Sequence, residues 1–112
     1  MTKIAGKQGG MEGTNKIVDL PAGGAAPASC AVIDVSGPTV TYVCITVAVD
    51  SYYTYAATAA AALTRLGSDD TRSEVPAGTA TFPVGLNDGV MGFTNKAAVA
   101  VTGGLSYHLV KG

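Results

Sequence analysis

Turn-forming residues interrupt this sequence so often that no regular element can be long. The 112 residues include 15 glycines and 5 prolines, and this glycine share is nearly twice the ordinary ~7%. The segments between them are rich in Val, Ile, Thr and Tyr, which favour strands. A long helix or a coiled coil is therefore excluded. Seven or eight short strands with turns at regular intervals predict an all-β fold, a small β-sandwich or barrel.

The most strand-like region of the chain predicts a β-hairpin. Residues 29–35 and 39–49 are both rich in β-branched and aromatic side chains, and residues 36–38 separate them with a Gly-Pro turn signal. If Val35 faces Thr39, alternate apolar residues of both strands fall on one face. The hairpin then has one buried face and one more polar face.

The chain has two cysteines, Cys30 and Cys44, and this register places them directly opposite each other. The Cβ separation of cross-strand neighbours suits a disulfide. Two reduced thiols are the alternative, because a protein made in the cytoplasm keeps its cysteines reduced. The sequence leaves both interpretations open.

The C-terminal segment predicts a second hairpin. Residues 97–102 and 105–110 are strand-like, and Gly103 and Gly104 between them are a favoured two-residue turn. This pairing predicts a buried face formed by Leu105, Tyr107, Leu109, Ala98, Ala100 and Thr102. It directs His108, the single histidine, to the opposite side.

The rest of the chain contributes shorter elements. Strand candidates occupy residues 16–20, 74–75, 79–84 and 90–94. Residues 1–15 are glycine-rich and aperiodic, which predicts a flexible N-terminal arm. Residues 16–112 are then a single β-rich domain.

Residues 51–67 are ambiguous between helix and strand. The alanine-rich stretch 56–66 favours a short helix, with Ser51 as a possible cap and Gly67 just beyond its end. Residues 52–55 fit better as an extension of the preceding strand. Alanines on a strand packed closely against a neighbour are the alternative for 56–66.

No residue pattern in the sequence indicates catalysis, a cofactor or a metal. His108 has no Cys, Asp or Glu at ligand spacing, and Asp69, Asp70 and Glu74 lack the oxygen-donor spacing of a calcium loop. The glycine-rich residues 6–10 lack the spacing of a phosphate-binding loop. We therefore expect a protein that is not an enzyme and binds neither cofactor nor metal.

Charge and hydropathy also limit the kinds of partner. The net charge of −1 gives no basic surface for nucleic acid. The N-terminus has no apolar signal region, and no apolar stretch approaches the ~20 residues needed to span a membrane. We expect a chain made in the cytoplasm, with neither nucleic acid nor membrane as its partner.

The scarcity of charge predicts association with other protein. Charged residues make up 13% of the chain and hydrophobic residues 47%, so a free monomer would lack the usual mixed surface charge. Tyr52, Tyr53, Tyr55 and His108 are interface candidates, because tyrosine is enriched at interfaces. Packing of the tyrosines in the core is the alternative.

The chain resembles the small accessory virion proteins of tailed bacteriophages, especially capsid decoration (cement) proteins. The resemblance rests on the glycine-rich arm, the short Ala/Val/Thr/Gly-rich strands, the low charge and the terminal strand–Gly–Gly–strand, over about residues 16–112. It involves no residue motif and transfers no functional residues. It implies a homo-oligomer, commonly a trimer, bound to a major capsid protein or other virion subunits on the capsid surface. A carbohydrate- or receptor-binding module of a phage tail or surface appendage is the alternative function.

Overall fold

Two four-stranded antiparallel sheets form the molecule, and one short helix lies beside them. The computed structural model describes residues 16–36, 40–84 and 89–111, so the predicted N-terminal arm lies outside the described residues. The elements in these ranges are β1 (Lys16–Leu20), β2 (Ala31–Asp34), β3 (Val40–Val47), β4 (Ser51–Ala56), α1 (Ala59–Leu66), β5 (Ser73–Val75), β6 (Gly78–Pro83), β7 (Val90–Asn95) and β8 (Val101–Lys111). The prediction of a small sandwich of short strands is confirmed.

Strand order shows that the chain alternates between the two sheets. The first sheet has the order β1–β8–β3–β6 and the second has the order β2–β7–β4–β5. Within the described ranges, β4 and β5 are the one pair of consecutive strands that are hydrogen-bonded neighbours. Every other sheet neighbour comes from a distant part of the sequence.

The predicted hairpin between residues 29–35 and 39–49 is wrong. β2 pairs with β7 in the second sheet, whereas β3 lies between β8 and β6 in the first. Both strands have an apolar face, and placing them in opposing sheets buries both faces in one core. The turn predicted between them falls largely on residues 37–39, which lie outside the described residues.

The predicted Gly-Gly hairpin at the C-terminus is also wrong, because β8 is continuous through both glycines. Gly103 has a φ of +63°, and its N–H donates to Asp19 Oδ1 at 2.9 Å. Between two paired positions, β8 runs four residues, from Val101 to Leu105, whereas the antiparallel β1 runs only two, from Val18 to Leu20. The left-handed glycine therefore makes a bulge in a continuous strand and does not form a turn.

Part of the predicted orientation of this segment is correct. Leu105 is fully buried, and Tyr107 and Leu109 pack against the core. They lie opposite Val47, Ile45 and Val43 of β3, and not opposite the predicted alanines. Ala98 and Ala100 are exposed, outside β8.

The core lies between the two sheets and receives side chains from both. Its largest fully buried members are Phe93, Leu20, Ile33, Ile45, Met91, Leu105, Val35, Val43 and Val47. At one side of this core the rings of Tyr53 and Phe82, from different sheets, lie 4.6 Å apart between centroids. One apolar layer thus holds both sheets together.

The short helix covers the outer face of the second sheet. α1 lies within the predicted stretch 56–66, and its N-cap is Thr58, whose Oγ1 accepts from the Ala61 N–H at 3.1 Å. The predicted cap, Ser51, is instead buried in β4. Ala62 and Leu66 are the buried residues of the helix. Among the described elements there is no counterpart over the outer face of the first sheet.

Candidate interaction surface

The outer face of the first sheet is hereafter called the open face. Burial alternates along β3 and β6, so the residues between the core positions point away from the core. The strand register aligns the corresponding residues of β8 and β1 with them. The open face comprises Tyr42, Cys44 and Thr46 of β3, Ser106, His108 and Val110 of β8, Thr79, Thr81 and Pro83 of β6, and Ile17 and Asp19 of β1.

The open face is nearly free of charge. Asp19, on the edge strand β1, is the one carboxylate among its members, and none of them is a lysine or arginine. Most charged side chains of the described residues lie instead on the second sheet, on its helix or in the adjoining loops: Asp34, Arg65, Asp69, Asp70, Arg72, Glu74 and Lys96. The sandwich therefore has one charged side and one neutral side.

Polar groups of the open face bond to one another. The hydroxyls of Thr46 and Thr79 lie 2.9 Å apart, and Cys44 Sγ lies 3.5 Å from the Thr81 hydroxyl. These are cross-strand pairs between β3 and β6. Because these groups already have protein partners, covering them costs less desolvation free energy than covering unpaired hydroxyls.

Large apolar side chains are exposed on this face. Ile17 is 71% exposed and Tyr42 is 47% exposed. Isolated exposed apolar residues are common on protein surfaces, but a neutral, internally bonded sheet face that includes them is typical of an interaction surface.

The register that would place Cys30 and Cys44 opposite each other for a disulfide is wrong, and both cysteines are free. Cys44 lies opposite His108 at the centre of the open face. Cys30 Sγ lies 3.5 Å from the position of a Cβ built on Gly92, beneath the helix. The two thiols thus lie on opposite sides of the sandwich. Partial burial raises the pKa of the Cys30 thiol.

The three neighbouring tyrosines of β4 do not form one surface. Tyr53 and Tyr55 pack against the core, and the Tyr55 hydroxyl donates to the Pro83 carbonyl at 2.9 Å. Burial, together with Tyr53, raises the pKa of Tyr55. Tyr52 lies on the charged side, where the Arg72 guanidinium is 3.9 Å from the centre of its ring.

A concave region of the surface is a weaker candidate for a binding site than the open face. A groove of about 620 Å³ at one end of the sandwich is lined by Val49, Asp50, Ala77, Asn95, Lys96 and Ala97. Its polar side chains are engaged in the fold: Asp50 accepts from the Ala77 N–H, and the Asn95 side chain bonds to Ala97 and Val99. Lys96 pairs with Glu74 at 2.8 Å. These contacts hold loops of the fold together. The three side chains therefore do not form a group of polar atoms directed at a ligand in the groove.

In residues 16–36, 40–84 and 89–111, no group of three or more His, Cys, Asp or Glu side chains is placed to hold a metal ion. No helix in that part of the chain has the length and hydropathy to cross a membrane.

The open face was missed from the sequence, although a signal for it exists. Its outward positions alternate with core positions in Tyr42-x-Cys44-x-Thr46, Thr79-x-Thr81 and Ser106-x-His108. Each motif alone is ordinary, and only the strand order places the three side by side. No protein-family model, curated protein or solved structure matches the chain.

Proposed function

We propose that this protein is a structural virion protein of the capsid decoration type, which binds other protein subunits through the open face. The observation that carries the proposal is the difference between the two sides of the sandwich. The open face has a single carboxylate, Asp19 at its edge, and cross-strand bonds between its side chains, whereas the helix side holds most of the charge. A protein that coats a particle needs one side to bury against protein and another to remain in solvent.

The fold supports this type of function in a second respect. The polar side chains of the end groove are used to close loops, so the fold resembles a rigid spacer more than a ligand receptor. The expected partners are a major capsid protein or other virion subunits, with the protein made in the host cytoplasm and placed on the capsid surface. A symmetric homo-oligomer is part of the same proposal.

The alternative function has less support. A carbohydrate- or receptor-binding module would use the aromatic cluster of β4 to stack on sugar rings. Tyr53 and Tyr55 pack in the core, and the ring of Tyr52 faces Arg72. This leaves no group of exposed rings in β4 for such a module.

Co-sedimentation with capsids tests the proposal. Undecorated capsids from the virus that encodes the chain are mixed with the purified protein and pelleted. We expect the wild-type protein to pellet with capsids. Thr46→Lys should reduce the bound fraction at least tenfold, because it places a charge in the buried face. Thr64→Lys, on the exposed helix surface, is the matched control and should bind like the wild type.

Two outcomes would contradict the proposal. Wild-type protein that stays in the supernatant at all concentrations would exclude a capsid-binding role. Equal binding by wild type, Thr46→Lys and Thr64→Lys would show that the open face is not the contact. A glycan array that bound the protein while capsids did not would favour the alternative.

A further inference from the structure

We infer that a second copy of this chain covers the open face, the two sheets packing face to face about a two-fold axis. The inference rests on the proposed function in one respect: it concerns the same open face and names the molecule that covers it. The pair forms in solution, with no capsid present, and a capsid subunit that binds the open face displaces the second copy. Its evidence is the charge, the hydrogen bonding and the size of this face.

The scarcity of charge suits a second copy as the partner of this face in solution. Unlike proteins commonly select each other through complementary charge, and the open-face residues named above on β3, β6 and β8 include no aspartate, glutamate, lysine or arginine. In a two-fold contact each surface meets itself, so any charge would meet a copy of its own sign nearby. A neutral face avoids that repulsion. Asp19, at the edge, already accepts the Gly103 N–H at 2.9 Å.

The hydroxyl pairs prepare the face for burial against an identical face. The Thr46–Thr79 and Cys44–Thr81 contacts use the polar groups within one copy. The partner then meets threonine methyl groups, Tyr42, Val110 and Ile17. For the four hydrogen-bonded side chains an identical face needs to supply no matching donors or acceptors, and the two copies associate mainly by burying apolar surface.

The size of the face suits a pair of moderate stability. Four strands about 4.8 Å apart and roughly 25 Å long give a projected area on the order of 500 Å² per copy. Two copies then bury about 1,000 Å², the lower limit for a specific interface. We expect a dissociation constant on the order of micromolar, which makes the association measurable by dilution.

Cys44 lies at the centre of the open face and therefore near the two-fold axis. β8 and β3 are the central strands of the sheet, and Cys44 opposite His108 is the middle pair along them. A residue near a two-fold axis lies close to the same residue of the second copy. The Cys44 thiols of the two copies are therefore close neighbours, whereas Cys30 lies on the far side of each sandwich.

Sedimentation equilibrium over a wide concentration range tests the pair. The wild-type protein should approach twice the 11.1 kDa chain mass as its concentration rises. Thr46→Lys should raise the dissociation constant at least tenfold, because the two-fold axis places two ammonium groups in a neutral contact. Thr64→Lys should dimerise like the wild type. Circular dichroism melts of the variants establish that each is folded.

Cross-linking tests the same pair in the unmodified protein. After reduction of the protein and removal of the reductant, a short bismaleimide should join two wild-type chains through Cys44. Cys30→Ser should cross-link equally well, and Cys44→Ser should lose the product. This measurement needs no charged variant to fold, and a negative result with Cys30→Ser contradicts the geometry directly.

Several outcomes would overturn the inference. They are a monomer at all concentrations, a mass of three chains, or a cross-link that requires Cys30. A trimer would match the decoration proteins that the chain resembles, but not a two-fold contact. Capsid binding by a monomeric protein would leave the proposed function standing and remove this inference. A dimer that never binds capsids would leave this inference standing and contradict the proposed function.

Discussion

Gly92 is a residue of the second sheet against which the helix packs closely. A Cβ at this position would lie 2.9 Å from Ala62 Cβ and 3.2 Å from Leu66 Cδ1. Leu66 is fully buried, so it has little room to move. Glycine is therefore required here by the packing of the helix on the sheet, and not by an unusual backbone conformation.

Substitution of this glycine should destabilise the fold. We expect Gly92→Ala to lower the free energy of unfolding by about 1–3 kcal/mol, as overpacking in a close-packed interior does. Gly67→Ala is the control, because its Cβ would meet nothing closer than 3.4 Å, and it should change stability by under about 1 kcal/mol. Urea melts measure both. Equal values for the two variants would contradict the close helix–sheet contact.

Asp34 carries a local pKa shift that can be tested separately. Its Oδ1 accepts from the Ser36 hydroxyl at 2.6 Å and from the Ser36 N–H at 2.9 Å. These bonds, the hydroxyl first, hold the pKa of Asp34 below its usual value. A lowered folded-state pKa contributes stability above the unfolded pKa, and this stability is lost as pH falls through the folded pKa.

We therefore expect Ser36→Ala to raise the pKa of Asp34 towards its usual value, so that the acid-side loss of stability becomes smaller and is complete at a higher pH. The carboxyl carbon signal of Asp34, followed by NMR through a pH titration, gives the midpoint directly. Ser73→Ala, an exposed serine elsewhere on the surface, should leave that midpoint in place. An unchanged midpoint in Ser36→Ala would show that the hydroxyl bond does not form in solution.

At the scale of elements, one arginine fastens the helix to its sheet. Arg72 Nη1 donates to the Leu66 carbonyl at the helix C-terminus at 3.1 Å, and Arg72 also pairs with Asp69. Its guanidinium packs on the ring of Tyr52 in β4. The side chain is only 10% exposed, so its planar head is held on several sides.

Replacing this guanidinium by an ammonium should loosen the helix. We expect Arg72→Lys to cost about 1–2 kcal/mol, since lysine keeps the charge but loses the flat stacking surface and the forked donors. Tyr52→Phe retains the ring and should cost under about 0.5 kcal/mol. Thermal melts compare them. If Arg72→Lys left the stability unchanged, the contacts of Arg72 would contribute no more than an ordinary surface ion pair.

Element positions were predictable from the sequence, but element partners were not. Valine, isoleucine and threonine located β2 and β3, and the alanines located α1, because these preferences act over a few residues. The two predicted hairpins failed because they assumed that neighbours along the chain are neighbours in a sheet. The Gly103–Gly104 signal fits a tight turn and a bulge equally well. The bulge forms because β8 pairs with β1 and β3 on its two sides.

At the scale of the whole molecule, alternation between sheets determines both the core and the open face. Each successive crossing places one apolar strand face inside the sandwich, and the helix then protects only the second sheet. The open face depends on the order β1–β8–β3–β6, which joins residues more than 30 positions apart in the sequence. A candidate surface of this kind has no short sequence signature. The sequence therefore indicated that charged residues are scarce, but not which face of the sandwich lacks them.

The same topology predicts slow and cooperative folding. Nearly all strand pairs join distant segments, so loop-closure entropy opposes folding before the pairs can form, and refolding should take milliseconds to seconds. Because one core joins both sheets, a single transition should unfold them together. Stopped-flow refolding measures the rate, and amide exchange at Ile45 in β3 and Phe93 in β7 should give equal opening free energies. Refolding in microseconds would contradict the slow folding expected from this topology, and one sheet opening well before the other would contradict a core shared by both sheets.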